Sequence, residues 1–285
     1  MRFWFSGSVC RWMAYFGDPI LAADLLFRPV HSVIDQSLNS RLGATTTNGD
    51  GFGLGWYGEA PEPAVYKSTQ PAWSDPNLRE IAHCVRTPLL FAHVRASTGT
   101  AVQRSNCHPF RHGRWLWMHN GLIRSFRELK RDLVMEVEPD LYADMEGTTD
   151  SELLFFLALT FGLADDPFEA VARAVGLVED VARAHDIHNP VQMTVATADG
   201  TSVWGFRYST EGKSRSLYYS SDVTQLRELH PDVPMLQRLG EETRFVVSEP
   251  LVDLPGAWNE VPESSAGVVR PGADEIRTFS PIPPA

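Results

Sequence analysis

Residues 149–163 of the chain read TDSELLFFLALTFGL, and this stretch predicts a helix that is buried on most of its surface. Thr149 followed three residues later by Glu152 is the signature of a capping box, so we expect the helix to begin here. Its apolar residues occupy every side rather than one stripe, which is typical of a helix enclosed by protein. A second helix is predicted directly after it, with Asp166 as N-cap and Pro167 in its first turn.

Segments typical of β-strands lie on both sides of this helical pair. Before it, runs rich in aromatic and β-branched residues predict strands at 12–16, 54–57, 89–94 and 115–118. A weaker helix is predicted at 126–134. After the pair, a hairpin is expected around Asp199-Gly200, and further strands are expected at 217–219, 244–247, 258–261 and 276–279. Strands, then helices, then strands without strict alternation indicate stacked layers of sheet and helix in an α+β fold.

The composition is that of an ordinary globular protein with an acidic charge balance. The chain has 285 residues, 43% of them hydrophobic, and 25 basic against 36 acidic side chains give a net charge of −11. This balance and the lack of a basic stripe argue against nucleic acid as a partner, and no apolar run is long enough for a membrane span. Three cysteines without a secretory signal argue for the reducing cytoplasm and against a disulfide framework.

Several motifs suggest chemistry that the surrounding residues exclude or leave open. Residues 53–58, GLGWYG, match the dinucleotide fingerprint, but the prolines at 61 and 63 cannot begin the helix that it requires. The cysteines and histidines lack the spacing of a zinc site, so no metal is expected. No other cofactor is expected either. A strand pattern follows Cys10, which argues against a papain-like Cys–His pair. Glycines at 49, 51, 53 and 55 would share one face of a strand, and tight sheet packing or a substrate-facing wall would explain them equally well.

Three short polar motifs each have a common structural explanation when taken alone. Arg95 and Thr98 follow the strand at 89–94, where a surface ion pair or a turn would be ordinary. Asn120-Gly121 follows the strand WLWM, and Asn-Gly is a routine turn sequence. Asp150 lies in the first turn of the buried helix, where an acidic residue interacts favourably with the helix dipole. Their order along the chain makes them informative together.

In this order the motifs resemble those of the class II glutamine amidotransferases, which are N-terminal nucleophile hydrolases. The resemblance rests on CRW at 10–12, NGDGFGLGWY at 48–57, AHVR at 92–95, NCHPF at 106–110, HNG at 119–121 and TDSE at 149–152. It runs from Cys10 to about Pro262 and is strongest to stand-alone members without an attached synthase domain. The resemblance implies the four-layer αββα sandwich of that family.

The resemblance also implies the catalytic residues. Cys10 is expected to be the nucleophile, with its own free α-amine as the general base, because an α-amine titrates at about 8, close to operating pH. Asn120 and Gly121 are expected to form the oxyanion hole through a side-chain amide and a backbone N–H. A γ-glutamyl thioester on Cys10 would then be hydrolysed by water.

Charged side chains are expected to bind the glutamyl end of the substrate. Arg95, helped by Thr98, would bind the α-carboxylate, and Asp150 would bind the α-ammonium. The implied substrate is glutamine or another γ-glutamyl amide, and an ammonia-accepting synthase is a possible partner. Hydrolysis of γ-glutamyl peptides or thiol conjugates is the alternative within the same class, because Arg95 and Asp150 would contact only the shared glutamyl end.

The chain departs from the family pattern at its front, where nine residues precede Cys10 although family members begin Met-Cys. Three explanations stay open: a true start at Val9, cleavage of a short propeptide, or an extension at 1–9 that persists. A persisting extension would place an amide where the base is needed, which predicts a catalytically silent binding or regulatory protein. We favour the first explanation, because the other expected site residues are kept. No linker interrupts the rest, so one domain is expected at 10–279 with a loose tail at 280–285.

Overall fold

Two antiparallel β-sheets form the centre of the molecule in the computed structural model, which describes residues 10–38, 47–97, 100–272 and 274–284. In chain order, the strands are β1 (Arg11–Leu21), β2 (Phe52–Trp56), β3 (Ala64–Ser68), β4 (Arg86–Val94), β5 (Phe110–His112), β6 (Trp115–Ile123), β7 (Val191–Ala198), β8 (Val203–Ser209), β9 (Tyr218–Ser220), β10 (Arg244–Val247), β11 (Trp258–Glu260), β12 (Ser265–Val269) and β13 (Glu275–Thr278). The first sheet has the order β11-β9-β10-β1-β4-β2-β3, and the second has the order β13-β12-β8-β7-β6-β5.

Helices cover the outer faces of both sheets. They are α1 (Ala22–Leu26), α2 (Val33–Leu38), α3 (Pro76–Cys84), α4 (Phe126–Met135), α5 (Pro139–Tyr142), α6 (Asp150–Thr160), α7 (Pro167–Ala184) and α8 (Val223–Leu229). The helices α1, α2, α3 and α8 pack on the first sheet, and α4, α6 and α7 pack on the second. The predicted four-layer αββα sandwich is therefore confirmed. Over the described ranges, none of these helices combines the length and apolarity that crossing a membrane requires.

Strand alternation explains why the sheets are covered on both faces. In β1, Trp12 lies in the core between the sheets, whereas Met13 lies in the core beneath the helices of the first sheet. In β6, Leu116 lies between the sheets and Trp117 packs beneath the helices of the second. Strands buried on both faces need nearly continuous apolar sequence, and the run WLWM in β6 has this character.

The two central helices begin as the sequence predicts. The Thr149 hydroxyl accepts the N–H of Glu152 at 3.2 Å, which confirms the N-cap of α6. The carboxylate of Glu152 turns to the preceding loop instead of closing the capping box, and it accepts the N–H groups of Glu146 (3.0 Å) and Gly147 (2.7 Å). Asp166 caps α7 as expected, accepting the N–H groups of residues 168 and 169. The helix predicted at 126–134 is also present, as α4.

Close packing between the sheets explains two of the four alternating glycines. A Cβ on Gly53 would lie 2.2 Å from the carbonyl oxygen of His108, and a Cβ on Gly55 would lie 2.8 Å from a methyl carbon of Leu116. Any side chain at these positions would force apart the first sheet and the segment that leads into the second. Only these two glycines lie in β2, so the strand does not extend over all four positions.

The end of the chain contacts the outer helix layer. Residues 280–284 have no regular secondary structure. The N–H of Ile282 donates to the carbonyl oxygen of Ala172 in α7 at 2.9 Å. Part of the predicted tail therefore lies against that helix.

Candidate active site

Cys10 immediately precedes β1 at one end of the sandwich, and it is partly buried. Arg11 pairs with Val94 across β1 and β4, so the residues that follow β4 lie over the thiol. The N–H of Ala96 points at Sγ of Cys10 over 3.4 Å, and the same sulfur lies 3.6 Å from the carbonyl oxygen of Ala96. The nucleophile expected from the sequence thus lies where two strand ends meet.

Burial and positive charge act on the Cys10 thiol in opposite directions. Burial raises its pKa, and this is the largest effect. The N–H of Ala96 and the guanidinium groups of Arg95, Arg11 and Arg215 lower the pKa in part. A buried cysteine of this kind stays a thiol at rest and needs a base to become nucleophilic.

The strand β6 brings Asn120 to the same point. Its side-chain Nδ2 donates to the carbonyl oxygen of Cys10 at 2.9 Å, and the amide keeps a second hydrogen for another acceptor. Gly121 follows in β6, and a Cβ there would lie 1.9 Å from the carbonyl oxygen of Gln192 in β7. Only glycine fits at this position, because the neighbouring strand occupies the space of any side chain. Asn120-Gly121 is therefore part of a strand and not the turn that its sequence also allows.

Arg95 is buried, with 3% of its surface exposed, and it lies directly after β4. Its Nη2 donates to the hydroxyls of Thr100 (2.6 Å) and Ser97 (3.4 Å), and Nη1 lies 3.4 Å from the carbonyl oxygen of Asp50. Within the described ranges no carboxylate forms an ion pair with this guanidinium, so the surface ion pair of the alternative interpretation is absent. Thr98, the expected helper of Arg95, lies outside the described residues.

Asp150 connects the beginning of α6 to the end of β6. Its Oδ2 accepts the N–H of Ile123 at 2.8 Å, and its Oδ1 accepts the N–H of Ser151 at 2.8 Å. The Ser151 hydroxyl lies 2.8 Å from Nδ1 of His119, the residue before Asn120. Burial lowers the pKa of His119, and the negative charge of Asp150 partly opposes this. The acid expected to bind an ammonium group is thus fixed close to the Asn120 strand.

The other two thiols have different surroundings. Cys84 is exposed at the end of α3. Cys107 is buried, and its sulfur lies 3.5 Å from the carbonyl oxygen of Ser68 and 3.6 Å from that of Gln103. Burial raises the pKa of Cys107 as well. In the part of the chain that the structure describes, no cluster of three or more His, Cys, Asp or Glu side chains is arranged to hold a metal ion.

Three residues near Cys10 were missed by the sequence reasoning. Asp50 accepts the N–H of Ser97 at 2.7 Å and so fixes the segment after Arg95. Arg11 donates to the carbonyl oxygen of Cys10 at 3.0 Å, and Arg215 lies close enough to affect the thiol. Asp50 and Arg11 lie inside motifs that carry the resemblance, so their presence there was the available signal. Arg215 lies in a loop without such a signal.

A cleft of about 490 Å³ opens beside β3, β5 and α6 and not at Cys10. Its lining includes Lys67, Arg104, Phe110 and Glu152, but none of the residues expected to bind the substrate. Burial lowers the pKa of Lys67 to about 8, and its ammonium lies 5.0 Å from the centre of the Phe110 ring. The cleft therefore gives no support to the predicted glutamyl site.

Comparisons with known proteins find relatives over nearly the whole chain. The profile of the glutamine amidotransferases class-II matches residues 27–278. A probable glutamine amidotransferase of Saccharomyces cerevisiae, DUG3, is 34% identical over 288 residues, which cover 90% of this chain and 80% of that protein. The γ-glutamyl-hercynylcysteine sulfoxide hydrolase of Mycolicibacterium smegmatis is 26% identical over 257 residues, covering 90% and 93% of the two chains.

Solved structures agree with these sequence matches. A glutamine aminotransferase class-II domain protein from Silicibacter pomeroyi superposes with a TM-score of 0.72 at 33% identity, covering 95% of this chain and 100% of that one. Glutamine phosphoribosylpyrophosphate amidotransferase from B. subtilis has a TM-score of 0.62 at 15% identity, covering 95% of this chain and 49% of that one, and shows the fold alone. Because the profile spans most of the sequence and its relatives include enzymes, this chain is an enzyme that belongs to the class II glutamine amidotransferases.

Proposed function

We propose that the enzyme hydrolyses the γ-glutamyl amide bond of glutamine or another γ-glutamyl amide, with a mature chain that begins at Cys10. The observation that carries the proposal is the meeting of two motifs on this residue. The N–H of Ala96 reaches its sulfur at 3.4 Å, and Asn120 reaches its carbonyl oxygen at 2.9 Å. Family members act on glutamine or γ-glutamyl substrates, which share one glutamyl end.

The first half of the reaction forms a thioester. Sγ of Cys10 attacks the γ-carbonyl carbon while its proton passes to the free α-amine of the same residue. Negative charge develops on the carbonyl oxygen, and the second amide hydrogen of Asn120 and the N–H of Gly121 stabilise it. The C–N bond then breaks, and the α-ammonium of Cys10 protonates the departing nitrogen, so that ammonia or an amine leaves.

The second half hydrolyses that thioester. Water attacks the acyl carbon and gives one proton to the α-amine of Cys10, and the C–S bond breaks to release glutamate. The proton returns to the sulfur, which restores the resting thiol. The free α-amine serves in both halves, so a chain that keeps residues 1–9 lacks the base and loses about 10²–10⁴ in rate.

Arg95 and Asp150 supply opposite charges for the glutamyl end. Arg95 is buried and has hydroxyl partners, which position its guanidinium while leaving its charge for a carboxylate. Asp150 is partly exposed beside the Asn120 strand, where it can bind an ammonium group. Thr98 stays a prediction as a helper of Arg95.

A γ-glutamyl peptide or thiol conjugate is the second candidate substrate, and Arg215 favours it. Ser216, the next residue, donates its hydroxyl to the carbonyl oxygen of Ser248, and the N–H of Ser248 donates to the carbonyl oxygen of Trp12. Arg215 therefore lies beside the beginning of β1, and its Nε is buried without a hydrogen-bond partner among the described residues. An amino-acid leaving group carries a carboxylate for this cation, whereas ammonia does not. The Mycolicibacterium relative is named as a hydrolase of a γ-glutamyl conjugate.

The test compares glutamate release from glutamine and from γ-glutamylglycine by a chain that begins at Cys10. Cys10→Ala is expected to abolish release from both, and the matched control Cys107→Ala is expected to keep most of it. Full activity in Cys10→Ala would exclude the proposed mechanism. Arg215→Met separates the candidates, because it should raise KM for γ-glutamylglycine alone if the leaving group binds there. N-terminal sequencing of the native protein then tests the mature start.

A further inference from the structure

A line of paired polar side chains runs from Cys10 away from the site. Nε of Arg11 lies 2.6 Å from Oε2 of Glu249, and Nε2 of His31 lies 2.6 Å from Oε1 of the same carboxylate. Nδ1 of His31 lies 2.9 Å from Oδ2 of Asp35, whose side chain is 40% exposed. Arg11 and Glu249 are each only 2% exposed. The line thus begins in the interior beside Cys10 and ends at the surface.

This arrangement is unusual if its role is stability alone. Removing two charges from water is costly, and a buried ion pair seldom stabilises a fold more than well-packed apolar side chains of the same size. An apolar pair of similar size could fill the same space at the end of the first strand. A functional requirement for Arg11 would explain why the charges are kept.

The contact of Arg11 with Cys10 supplies that requirement. Nη1 of Arg11 donates to the carbonyl oxygen of Cys10 at 3.0 Å, beside the Asn120 amide on the same oxygen. A residue at the beginning of a chain has no preceding peptide to hold it, and terminal residues fray unless they are tied down. Two donors on one carbonyl oxygen fix the backbone of Cys10, and its sulfur and α-amine are fixed with it.

Glu249 is held in turn by the first sheet and by α2. It follows Ser248, whose hydroxyl accepts the N–H of Trp12 at 2.9 Å. The side-chain amide of Gln36 donates to the carbonyl oxygen of Glu249 at 3.3 Å. The carboxylate that orients Arg11 therefore has a fixed backbone on both sides.

We propose that Arg11, oriented by Glu249 and His31, is the positioning residue that holds the backbone of Cys10 so that its sulfur and α-amine face the substrate. The proposal rests on the function proposed above, in which Cys10 is the first residue. Arg11 acts through Cys10 and not on the glutamyl group. Its loss should lower kcat and leave KM nearly unchanged, since Arg95 and Asp150 keep their contacts.

The decisive variant replaces both charges with apolar side chains, Arg11→Met with Glu249→Leu. We expect melting to fall less than in Arg11→Met alone, because that single variant leaves the Glu249 carboxylate buried without its guanidinium partner, whereas in the double variant both charges are gone and His31 keeps its contact with Asp35 at 2.9 Å. We expect kcat to fall by about 10- to 100-fold, the scale of a misplaced reacting group, with KM for glutamine within about twofold. Glu249→Gln keeps a hydrogen-bond acceptor for Arg11 and should keep more activity than the double variant.

The matched control lies beside the middle of β1. Arg244, which pairs with Phe16, has its Nε 2.8 Å from Oδ2 of Asp274. Arg244→Met with Asp274→Leu removes an ion pair of similar geometry and should leave both kcat and KM at wild-type values. A kcat of the Arg11/Glu249 variant equal to that of this control would overturn the proposal, and so would a KM that rises in parallel with the loss of kcat.

Hydrogen exchange separates this proposal from the proposed function. The amides of residues 11–13 should exchange at least about tenfold faster in the Arg11/Glu249 variant than in the wild type, because the strand end is released. Unchanged exchange would overturn the positioning role. A wild-type chain beginning at Cys10 that releases no glutamate would instead overturn the proposed function, and the exchange rates would still decide the role of Arg11.

Discussion

Replacing Asp150 with Asn should weaken both substrate binding and the fold, and the structure gives the size of each effect. Asp150 uses its two oxygens separately, one for the N–H of Ile123 and one for that of Ser151, each at 2.8 Å. Asn has a single acceptor oxygen, so one of these backbone donors would face an NH₂ group. A buried donor left without its partner costs about 1–3 kcal/mol. At about 2–4 °C per kcal/mol for a chain somewhat smaller than this one, we expect Tm to fall by roughly 2–12 °C.

The control for this variant is Asp166→Asn at the start of α7. Asp166 accepts two backbone N–H groups with the single oxygen Oδ1, which an Asn side chain keeps. Both variants lose one negative charge at a helix N-terminus, so their difference isolates the second oxygen of Asp150. Asp166→Asn should leave Tm nearly unchanged, whereas Asp150→Asn should lower it.

The kinetic effect is measured on the same pair of variants with glutamine and with γ-glutamylglycine. Loss of a charge-assisted hydrogen bond to the substrate ammonium, worth about 1.5–3 kcal/mol, corresponds to a rise in KM of about 10- to 150-fold. The factor should be similar for both substrates, because they share the glutamyl end. A KM of Asp150→Asn that stays at the wild-type value while Tm falls would show that Asp150 only joins α6 to β6, and the assignment to the substrate would be refuted.

Four further measurements test other residues. A diazoketone analogue of glutamine should label Cys10 alone among the three thiols in peptide mapping. A label on Cys107 would instead indicate that the active site lies in the segment around Cys107. Arg95→Lys keeps the charge but loses the planar fork, so KM for glutamine should rise at least about tenfold with kcat less affected. Gly121→Ala should lower the urea midpoint and abolish activity, because its Cβ would lie 1.9 Å from a carbonyl oxygen of β7. Burial lowers the pKa of Lys67 to about 8. Between about pH 8 and 10 the unfolded chain therefore binds more protons at this residue than the folded chain does. The free energy of unfolding of the wild type thus increases as pH rises through that window. Lys67→Met should lose this pH-dependent gain in stability and be more stable than the wild type at pH 7. Urea midpoints of both proteins at pH 7 and at about pH 10 would show this.

Local sequence signals were sufficient where capping and periodicity agree. The helices α6 and α7 were predicted from Thr149, Asp166 and Pro167 and are confirmed at those positions. The helix α3 has the same signature, with Asp75 accepting the N–H of residue 78 and Pro76 in the first turn, yet it was missed. Its nine residues, PNLREIAHC, bury only two apolar side chains, so no strong apolar stripe marked it. The cap was present, but the pattern that follows it was too weak.

The shape of the site depends on contacts that no local pattern reports. The ion pair between Arg11 and Glu249 joins residues 238 positions apart, and neither side chain differs from a surface charge in its own sequence neighbourhood. Asn120-Gly121 has the sequence of a turn but lies inside β6, because the pairing with β7 extends to residue 123. In the second case, tertiary pairing overrode the local preference for a turn.

The position of Asp150 indicates how binding and catalysis would be joined in one rigid unit. Its Oδ2 holds the N–H of Ile123, three residues after Asn120 in the same strand, and Ser151 holds His119 on the other side. Any shift of α6 that moved the carboxylate proposed to bind the ammonium group would therefore pull on the strand that carries the proposed oxyanion hole. Since β6 also pairs with β7 from Leu116 to Ile123, this strand resists such a shift. If the substrate contacts and the oxyanion donors lay on separate loops, they would move independently. Movement of either loop would then disrupt the near-attack geometry that accelerates acyl transfer.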